Sequence, residues 1–395
     1  MRGFVQLYIK LANARIINPL SEDEITADVG IENRRIRKIG DVTDAAADKI
    51  IQLDRKRIVC PGLIDIHTHV YNLATSLGVN ADELAARSGV EIFVDAGSAG
   101  AGNFAGFKEY IIKHSRSRIY SFLNIGYGGI PFFGIGEGSQ IGEIPDLLAA
   151  DEKKCIECAR ANRDLILGIK VRLSERANGA LGVAPLIAAK RCAKELNLPV
   201  MLHFGRPPPV LSDLLPYLEK GDILTHSFRG RPNTLLQEDR KRVLEIARDA
   251  KRRGVVIDIG HGSGSFSFEA ARAAIEDGLI PDTISTDIHQ LCIRSPVYDL
   301  PTTMCKLLNL GMSLHDVVKT VTCNPARAIG KFPEHGSIEE GQNADLIVFE
   351  LAKSEKTMYD SFGGTMKVKE IITPIMRLSS GELFNINYVP FQDHS

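Results

Sequence analysis

The sequence predicts an α/β protein in which a (β/α)8 (TIM) barrel lies beside a small composite β-sandwich domain built from both chain ends. From residue 61 onward, short apolar runs alternate with helical patterns. Several runs are almost entirely apolar, which is typical of strands buried on both faces. Eight such units over roughly 250 residues match the usual length of this barrel. The alternative is an open doubly wound sheet, but that fold usually has a Gly-rich turn after its first strand, where this chain has histidines.

Each barrel strand is predicted from an apolar run bounded by polar or turn residues. The eight predicted strands are Gly62–His67, Val90–Asp95, Ile119–Ile125, Leu165–Val171, Pro199–Phe204, Asp222–Ser227, Val255–Ile259 and Thr283–Asp287. Amphipathic patterns between these runs predict helices. The helices include Phe104–His114, Lys153–Asn162, Ala184–Leu196, Gln237–Arg253 and Phe268–Asp277.

The two ends of the chain have a different pattern. Residues 1–60 and 338–395 contain short β-type runs separated by turn residues. These runs are Gln6–Leu11, Ala14–Ile17, Thr26–Glu32, Arg35–Ile39, Ala344–Phe349, Lys367–Ile375 and Gly381–Ile386. We expect residues 1–60 and 338–395 to pair into the β-sandwich domain and residues 61–337 to form the barrel.

Composition limits the partners of this protein. The 395 residues carry a formal net charge of -1, so electrostatics give no reason to expect nucleic acid or an anionic membrane as a partner. No apolar run approaches the length of a membrane span. Seven cysteines in so long a chain are sparse, which favours reduced thiols and a cytoplasmic protein. A small-molecule substrate is the expected partner, and a homo-oligomer is left open.

A His-x-His motif ends the first predicted barrel strand, in the segment Pro61–His69. Alternate side chains of a strand point to the same face, so His67 and His69 project together, roughly 7 Å apart along the strand. Two imidazoles on one face at the end of a strand are a suitable pair of metal ligands. The motif alone is common in proteins without a metal, and its weight depends on the rest of the chain.

Polar residues end four further predicted strands. Strands four, five, six and eight end in Lys170, His203, His226 and Asp287. Each has a structural explanation by itself: a histidine can be a hydrogen-bonded core residue, and an aspartate can cap the next helix. Catalytic residues of this barrel lie at the carboxyl ends of its strands. Together these side chains therefore predict a single functional site at that mouth.

The chain resembles the amidohydrolase superfamily over essentially its whole length. The resemblance lies in Pro61–His69, in the order His-x-His, Lys, His, His, Asp on strands one, four, five, six and eight, and in three later segments. These segments are Asn324–Ala328, Gly336–Ile338 and Gly341–Leu346, which resemble the return of the family's chain into its small β domain. The family's fold, a barrel beside a composite β-sandwich, agrees with the fold predicted from the pattern.

The resemblance implies a binuclear centre of two divalent metal ions, with zinc expected from the imidazole and carboxylate-like ligands. The implied ligands are His67, His69, Lys170, His203, His226 and Asp287. In this family the lysine carries carbon dioxide as a carbamate (N6-carboxylysine), an anion with one oxygen for each metal. Burial near cations lowers the pKa of a lysine and favours the neutral amine that reacts.

The resemblance also implies a reaction, the hydrolysis of an amide or ester. A hydroxide bridging the metals attacks a carbonyl, and a metal polarises the carbonyl oxygen. Asp287 would act as general base and then as general acid, passing the proton to the leaving group.

Two departures narrow the expected branch. Dihydroorotases have an arginine two residues beyond His-x-His, where this chain has Tyr71, and the interval from His203 to His226 is shorter than in hydantoinases. The segments around Lys170, His203 and His226 are closest to a deacetylase-like branch. We therefore expect a deacetylase-type hydrolase of a small carboxylate-bearing substrate. The alternatives are a cyclic-amide hydrolase (dihydroorotase- or hydantoinase-like) and a non-catalytic scaffold, although scaffold relatives lack ligands that are all present here.

Substrate-binding residues are harder to predict. Arg172 lies two residues beyond Lys170 and shares its face of the strand, so it is the first candidate for binding a substrate carboxylate. His261, after strand seven, could donate to the substrate or act on the oxyanion, against the alternative of a structural role. Weaker candidates are Arg206, Arg229 and Arg231. The Gly-rich segment Gly126–Gly142 favours a flexible lid over the site, against the alternative of a plain long loop.

Overall fold

A computed structural model describes residues 8–43, 47–130 and 142–388. Seventeen strands lie in these ranges. They are β1 Ile9–Ile16, β2 Ile25–Glu32, β3 Arg35–Gly40, β4 Lys49–Gln52, β5 Arg57–Pro61, β6 Leu63–Thr68, β7 Val90–Gly100, β8 Arg118–Asn124, β9 Ile166–Leu173, β10 Val200–Phe204, β11 Ile223–Thr225, β12 Val256–Ile257, β13 Leu346–Lys353, β14 Thr357–Tyr359, β15 Thr365–Lys367, β16 Glu370–Ser379 and β17 Glu382–Asn385.

Helices occupy the connections between the barrel strands and the region after them. They are α1 Ala81–Ser88, α2 Phe104–Gly106, α3 Glu152–Ala161, α4 Glu175–Asn178, α5 Ala184–Leu196, α6 Leu211–Leu214, α7 Glu245–Arg252, α8 Phe268–Glu276, α9 Leu300–Asn309, α10 Leu314–Thr320 and α11 Cys323–Ala328. The predicted helix 104–114 is helical throughout, since α2 continues into a π-helical and then a 3₁₀ turn.

The barrel is a seven-stranded parallel sheet in which β6 to β12 follow one another in chain order. Strands β6 and β7 are buried at every residue, as their apolar sequences predict for strands covered on both faces. Parallel pairing brings the carboxyl ends of these strands to one mouth of the barrel. The TIM-barrel prediction is confirmed.

The eighth predicted strand, Thr283–Asp287, differs from the prediction. It forms no regular strand but closes the barrel by backbone hydrogen bonds on both sides. Ile259 N donates to Thr283 O (3.1 Å), and Asp287 N donates to His67 O (2.7 Å). Asp287 has φ 49°, and this left-handed backbone interrupts the strand. Hydrogen bonding to the chain at the end of β6 nevertheless continues, because His69 N donates to Ile288 O (3.0 Å).

The helix predicted over Gln237–Arg253 is wrong in its first half, because the helix begins at Glu245. Leu236 and Val243 form an antiparallel bridge, and a polar turn joins them. In this turn the Asp239 carboxylate accepts hydrogen bonds from the backbone N–H groups of Lys241 and Arg242. Such local side-chain bonding offers the backbone an alternative to the helix.

Helix α5 shows how sequence pattern becomes packing. Pro185 lies in its first turn and Asn197, with φ 51°, ends it, as expected for these residue types. Its buried residues recur at helical spacing and include Leu186, Ala189, Ala193 and Leu196. This face packs against α3 and β9 and so fixes the strand that carries Lys170.

Both chain ends contribute to one eight-stranded sheet, ordered β17-β16-β13-β5-β1-β2-β3 with β4 paired to β1. The two runs predicted at Gln6–Leu11 and Ala14–Ile17 meet in the single strand β1, which has an irregular register between Leu11 and Ala14; residues 6 and 7 lie outside the described residues. The sheet encloses its own apolar core, which includes Ile9, Leu11, Val29, Ile36, Val348 and Leu378. Strand β5 leads directly into β6, so the sheet adjoins the start of the barrel.

Within the described residues, helices are all too short or too polar to cross a bilayer.

A candidate metal centre at the carboxyl mouth of the barrel

The structure brings all six predicted ligands to one mouth of the barrel. They are His67, His69, Lys170, His203, His226 and Asp287. Five of them line one cavity, and the sixth, His226, is fully buried. The Nε2 atoms of His67 and His69 lie 3.2 and 3.0 Å from Asp287 Oδ1. Side chains at the end of β6 and at the end of the segment Thr283–Asp287 therefore converge on one point.

The second pair of histidines lies beside the first. His226 Nε2 is 2.7 Å from His203 Nδ1 and 4.0 Å from Asp287 Oδ2. Ring nitrogens this close face each other either as donor and acceptor or as two ligands of one cation. Ligand atoms of His67, His226 and Asp287 all lie within 4.8 Å of one another, so this group has the spacing of a metal site.

Lys170 lies between the two pairs. Its Nζ is 3.2 Å from His67 Nε2 and 3.4 Å from Met201 Sδ, and the residue is only 2% exposed. Burial lowers the pKa of the Lys170 amine to about 8, against the opposing effect of Asp287. These contacts and the burial of the side chain hold the amine beside the proposed ligand His67.

Hydrogen bonds on the far side of each ring orient the imidazoles. His67 Nδ1 bonds Thr225 Oγ1 (2.8 Å), which in turn donates to Asp258 Oδ2 (2.7 Å). His69 Nδ1 bonds Ser98 Oγ (2.9 Å). His226 Nδ1 bonds the carbonyl oxygen of Gly260 (2.6 Å). Partners of this kind fix the ring and its tautomer in metal sites.

Sequence reasoning missed this outer layer. One signal was available, because Asp258 is a carboxylate inside the apolar run Val255–Ile259, and buried carboxylates need partners. Asp258 accepts hydrogen bonds from the hydroxyls of Thr225, Thr283 and Ser285. The other partners, such as Ser98, are common residue types with no distinctive spacing.

The histidines and the carboxylate of the site have the protonation states that favour binding of a metal cation. Burial, with the charge of Lys170, lowers the pKa of His67 to about 3, and burial holds the pKa of His203 and His226 well below the usual value. Burial alone would raise the pKa of Asp287, but the neighbouring histidines outweigh it and hold this pKa well below its usual range. Neutral imidazoles and an ionised carboxylate are the forms that bind divalent metals, so the residues present fit a metal centre.

Two site residues have strained backbones. His226 has φ 68° and Asp287 has φ 49°, conformations that side chains other than glycine rarely adopt. Such strain is typical of functional sites whose surroundings hold it in place. Here the strain turns both side chains into the barrel mouth.

The cavity above the six side chains has a volume of about 330 Å³, enough for a small organic molecule. Its lining includes four arginines, namely Arg172, Arg176, Arg206 and Arg229. Arg172, the first candidate for substrate binding, lies at the cavity, but its Nη1 is 2.8 Å from Glu143 Oε1. Glu143 follows the Gly-rich segment Gly126–Gly142 and was not identified from the sequence. Most of that segment, residues 131–141, lies outside the described residues, so the lid stays a prediction.

His261 is fully buried and is not among the residues that line the cavity. Its Nε2 lies 2.7 Å from Lys306 Nζ, and its ring stacks on Phe266. These contacts favour a structural role, and a contact of His261 with substrate stays a prediction. His289, two residues beyond Asp287, lines the cavity and was not identified from the sequence, because it follows the last predicted strand, where periodicity no longer applies.

A TIM barrel with four imidazoles, a carboxylate and a buried lysine at its carboxyl mouth defines a metal-dependent hydrolase of the amidohydrolase class. Comparison with known proteins agrees. The amidohydrolase family model matches residues 58–381, and the chain belongs to that family.

Two curated relatives of this chain are named deacetylase. The chain is 37% identical to a deacetylase of Brucella anthropi over 94% of this chain and 91% of that protein. It is also 37% identical to a deacetylase of Agrobacterium fabrum, over 90% and 86% of the two chains. Among solved structures, one described as a dihydroorotase superposes with a TM-score of 0.89 at 35% identity, covering 98% of this chain and 100% of that one. The family and the deacetylase-like resemblance are confirmed.

Proposed function

We propose that this protein is a binuclear, metal-dependent deacetylase-type hydrolase that removes an acyl group from a small carboxylate-bearing substrate. The observation that carries the proposal is the convergence of six ligand-type side chains, with Lys170 Nζ 3.2 Å from His67 Nε2. The names of the two curated relatives support deacylation. The cavity of about 330 Å³ supports a small substrate.

Two divalent ions, with zinc expected, would be held by the six ligands His67, His69, Lys170, His203, His226 and Asp287. When bound, such ions polarise a carbonyl and make water acidic enough to attack near neutral pH. We further propose that Lys170 is the N6-carboxylysine of the family. Its neutral amine adds to carbon dioxide, forming the N–C bond and releasing one proton, and the resulting carboxylate provides two oxygens where an ammonium has none.

The chain's own residues move the proton. Asp287 Oδ1 lies beside the Nε2 atoms of His67 and His69, which leaves Oδ2 available. We assign Oδ2 as the atom that accepts the proton of the attacking water and returns it to the leaving group. Gly262 makes room for this atom, since a Cβ at that position would lie 2.3 Å from Oδ2.

Metal analysis combined with a substrate panel tests the proposal. Purified protein should contain about two divalent ions per chain and should hydrolyse acetyl-mandelate or N-acetyl amino acids. The alternative, a cyclic-amide hydrolase, is favoured by the solved structure described as a dihydroorotase, and turnover of dihydroorotate or hydantoin alone would support it. Less than one tightly bound metal and no turnover would support the non-catalytic scaffold.

We also propose that the protein is cytoplasmic. All seven cysteines are unpaired, which supports a reducing, cytoplasmic environment.

A further inference from the structure

Arg229 is an unusual residue of the cavity wall. It lies four residues beyond the end of β11 and is only 7% exposed, yet it lines the cavity. Its Nη1 donates to the carbonyl oxygen of Phe204 (2.7 Å), and its Cζ lies 5.8 Å from the centre of the Phe204 ring. Phe204 directly follows His203, so the guanidinium is anchored next to one of the proposed ligands.

This guanidinium has no counter-charge among the residues that the structure describes. No ion pair joins Arg229 to a carboxylate there, and its Nε is buried without a hydrogen-bond partner. Burial, together with Arg206 and Arg172, lowers the pKa of Arg229 to about 10, which still leaves it charged at neutral pH. A buried, unpaired cation is unfavourable, so the position suits an anion that is supplied from outside the chain.

Arg172 is the contrasting case. Its Nη1 bonds Glu143 Oε1 at 2.8 Å, and the other carboxylate oxygen of Glu143 accepts from Asn124 Nδ2 (3.1 Å). The charge of Arg172 is therefore balanced inside the protein. Of these two arginines, Arg229 is the one to which an anionic substrate can supply the counter-charge.

We propose that Arg229 binds the carboxylate of the substrate and determines the specificity of this site for anionic substrates. The inference rests on the proposed function and makes it more specific: the substrate is a short N- or O-acylated amino or hydroxy acid. The acyl group lies over the proposed metal ligands, and the free carboxylate lies against the guanidinium beside Phe204. A guanidinium can bind a carboxylate with two parallel hydrogen bonds.

The test compares substrates that differ only in charge. Acetyl-mandelate and N-acetylalanine are assayed beside their neutral carboxamides, with wild type, Arg229→Met, Arg229→Lys and Arg172→Met. We expect wild type to prefer the carboxylate by at least about tenfold in kcat/KM, mostly through KM. Arg229→Met should lose this preference, Arg229→Lys should keep part of it, and Arg172→Met should keep most of it. Guanidinium ion added to Arg229→Met should restore part of it.

Outcomes against the proposal are distinct from failure of the proposed function. An unchanged carboxylate preference in folded Arg229→Met, or its loss in Arg172→Met alone, overturns the inference. If wild type hydrolyses none of the four compounds, the proposed function fails, and thermal shift with mandelate and mandelamide then tests the carboxylate site directly. Stabilisation of wild type by mandelate, and not by mandelamide, that disappears in Arg229→Met supports the inference; no stabilisation of wild type overturns it.

Discussion

At the scale of single residues, Asp287 has two carboxylate oxygens with different surroundings. Oδ1 lies within 3.2 Å of the Nε2 atoms of His67 and His69, whereas Oδ2 lies 4.0 Å from His226 Nε2. One carboxylate can therefore hold its orientation through one oxygen and exchange a proton through the other. The proposed roles of ligand and proton carrier are compatible because they use different atoms.

Replacing Asp287 by Asn should separate these roles. Asp287→Asn keeps the shape of the side chain but removes the basic oxygen, so kcat should fall by at least about 100-fold. The variant should fold, since the change preserves volume. Turnover, metal content and circular dichroism are measured together, and near-normal kcat in metal-loaded Asp287→Asn would contradict the proton-carrier role.

Lys170 provides the second prediction at this scale. Lys170→Ala removes the amine that carries the proposed carbamate, so activity should fall by at least about 100-fold. Acetate or propionate with added metal should restore part of it, because a free carboxylate can occupy the place of the carbamate.

Lys306→Ala is the matched control for this rescue. Lys306 is also fully buried, and burial lowers its pKa to about 7, but it contacts His261 and not the six proposed ligands. Short acids should not rescue any defect in Lys306→Ala. Wild-type activity in Lys170→Ala without added acid would remove the carbamate from the mechanism.

Among the elements of the barrel, two glycines, one within β7 and one in the loop after β12, bring the backbone close to proposed ligands. Gly97 and Gly262 have φ +83° and +55°, and a Cβ at either would approach Lys170 or Asp287 closer than 3.0 Å. Glycine is required at both places by two separate conditions, the backbone angle and the space. Strand β7 and the loop after β12 therefore help to position proposed ligands by close backbone approach.

The substitution Gly262→Ala tests this role, with Gly278→Ala as control. Both glycines have positive φ, but a Cβ at Gly278 meets nothing within 4 Å. Both variants should lose about 1 kcal/mol of stability from backbone strain. Only Gly262→Ala, whose Cβ would lie 2.3 Å from Asp287 Oδ2, should also lose kcat, by at least about tenfold. Equal kcat in the two variants would show that the loop does not position the carboxylate.

At the scale of the whole molecule, a buried ionic network joins the barrel to the eight-stranded sheet. Asp345, next to β13, accepts a hydrogen bond from Arg118 Nη1 at the start of β8 (3.0 Å) and lies 3.2 Å from His335 Nδ1. Its backbone oxygen accepts from Gly62 N (2.8 Å). These contacts lie at the amino-terminal mouth of the barrel, opposite the proposed centre, where residues serve stability.

Asp345→Ala should therefore lower stability and leave catalysis unchanged. The Asp345 side chain is 6% exposed, and its removal leaves the partly buried Arg118 with Glu91 (3.4 Å) as its remaining carboxylate, a loss of about 2 kcal/mol. The expected result is a fall in Tm of several degrees, with kcat within about twofold of wild type. Glu109→Ala, which breaks an exposed pair with Lys113, should change stability by less than about 1 kcal/mol. A large fall in kcat for Asp345→Ala would instead link this network to the site.

The barrel and the position of its site follow from the sequence pattern alone. Alternating apolar runs and helical patterns identify the strands, and parallel strands bring their carboxyl ends to one mouth. Histidines at the ends of β6, β10 and β11 therefore had to meet, however far apart they lie along the chain. This part of the prediction depends only on strand order and on the direction of alternate side chains.

Which loop side chains face the cavity depends instead on tertiary packing. Arg172 pairs with Glu143, and His261 turns toward Lys306, 45 residues away; Arg229 instead lines the cavity without a carboxylate partner among the described residues. These outcomes depend on packing and charge between loops that have no repeating pattern. Residue periodicity fixes the face of a strand, but it does not fix the direction of a side chain once the strand has ended.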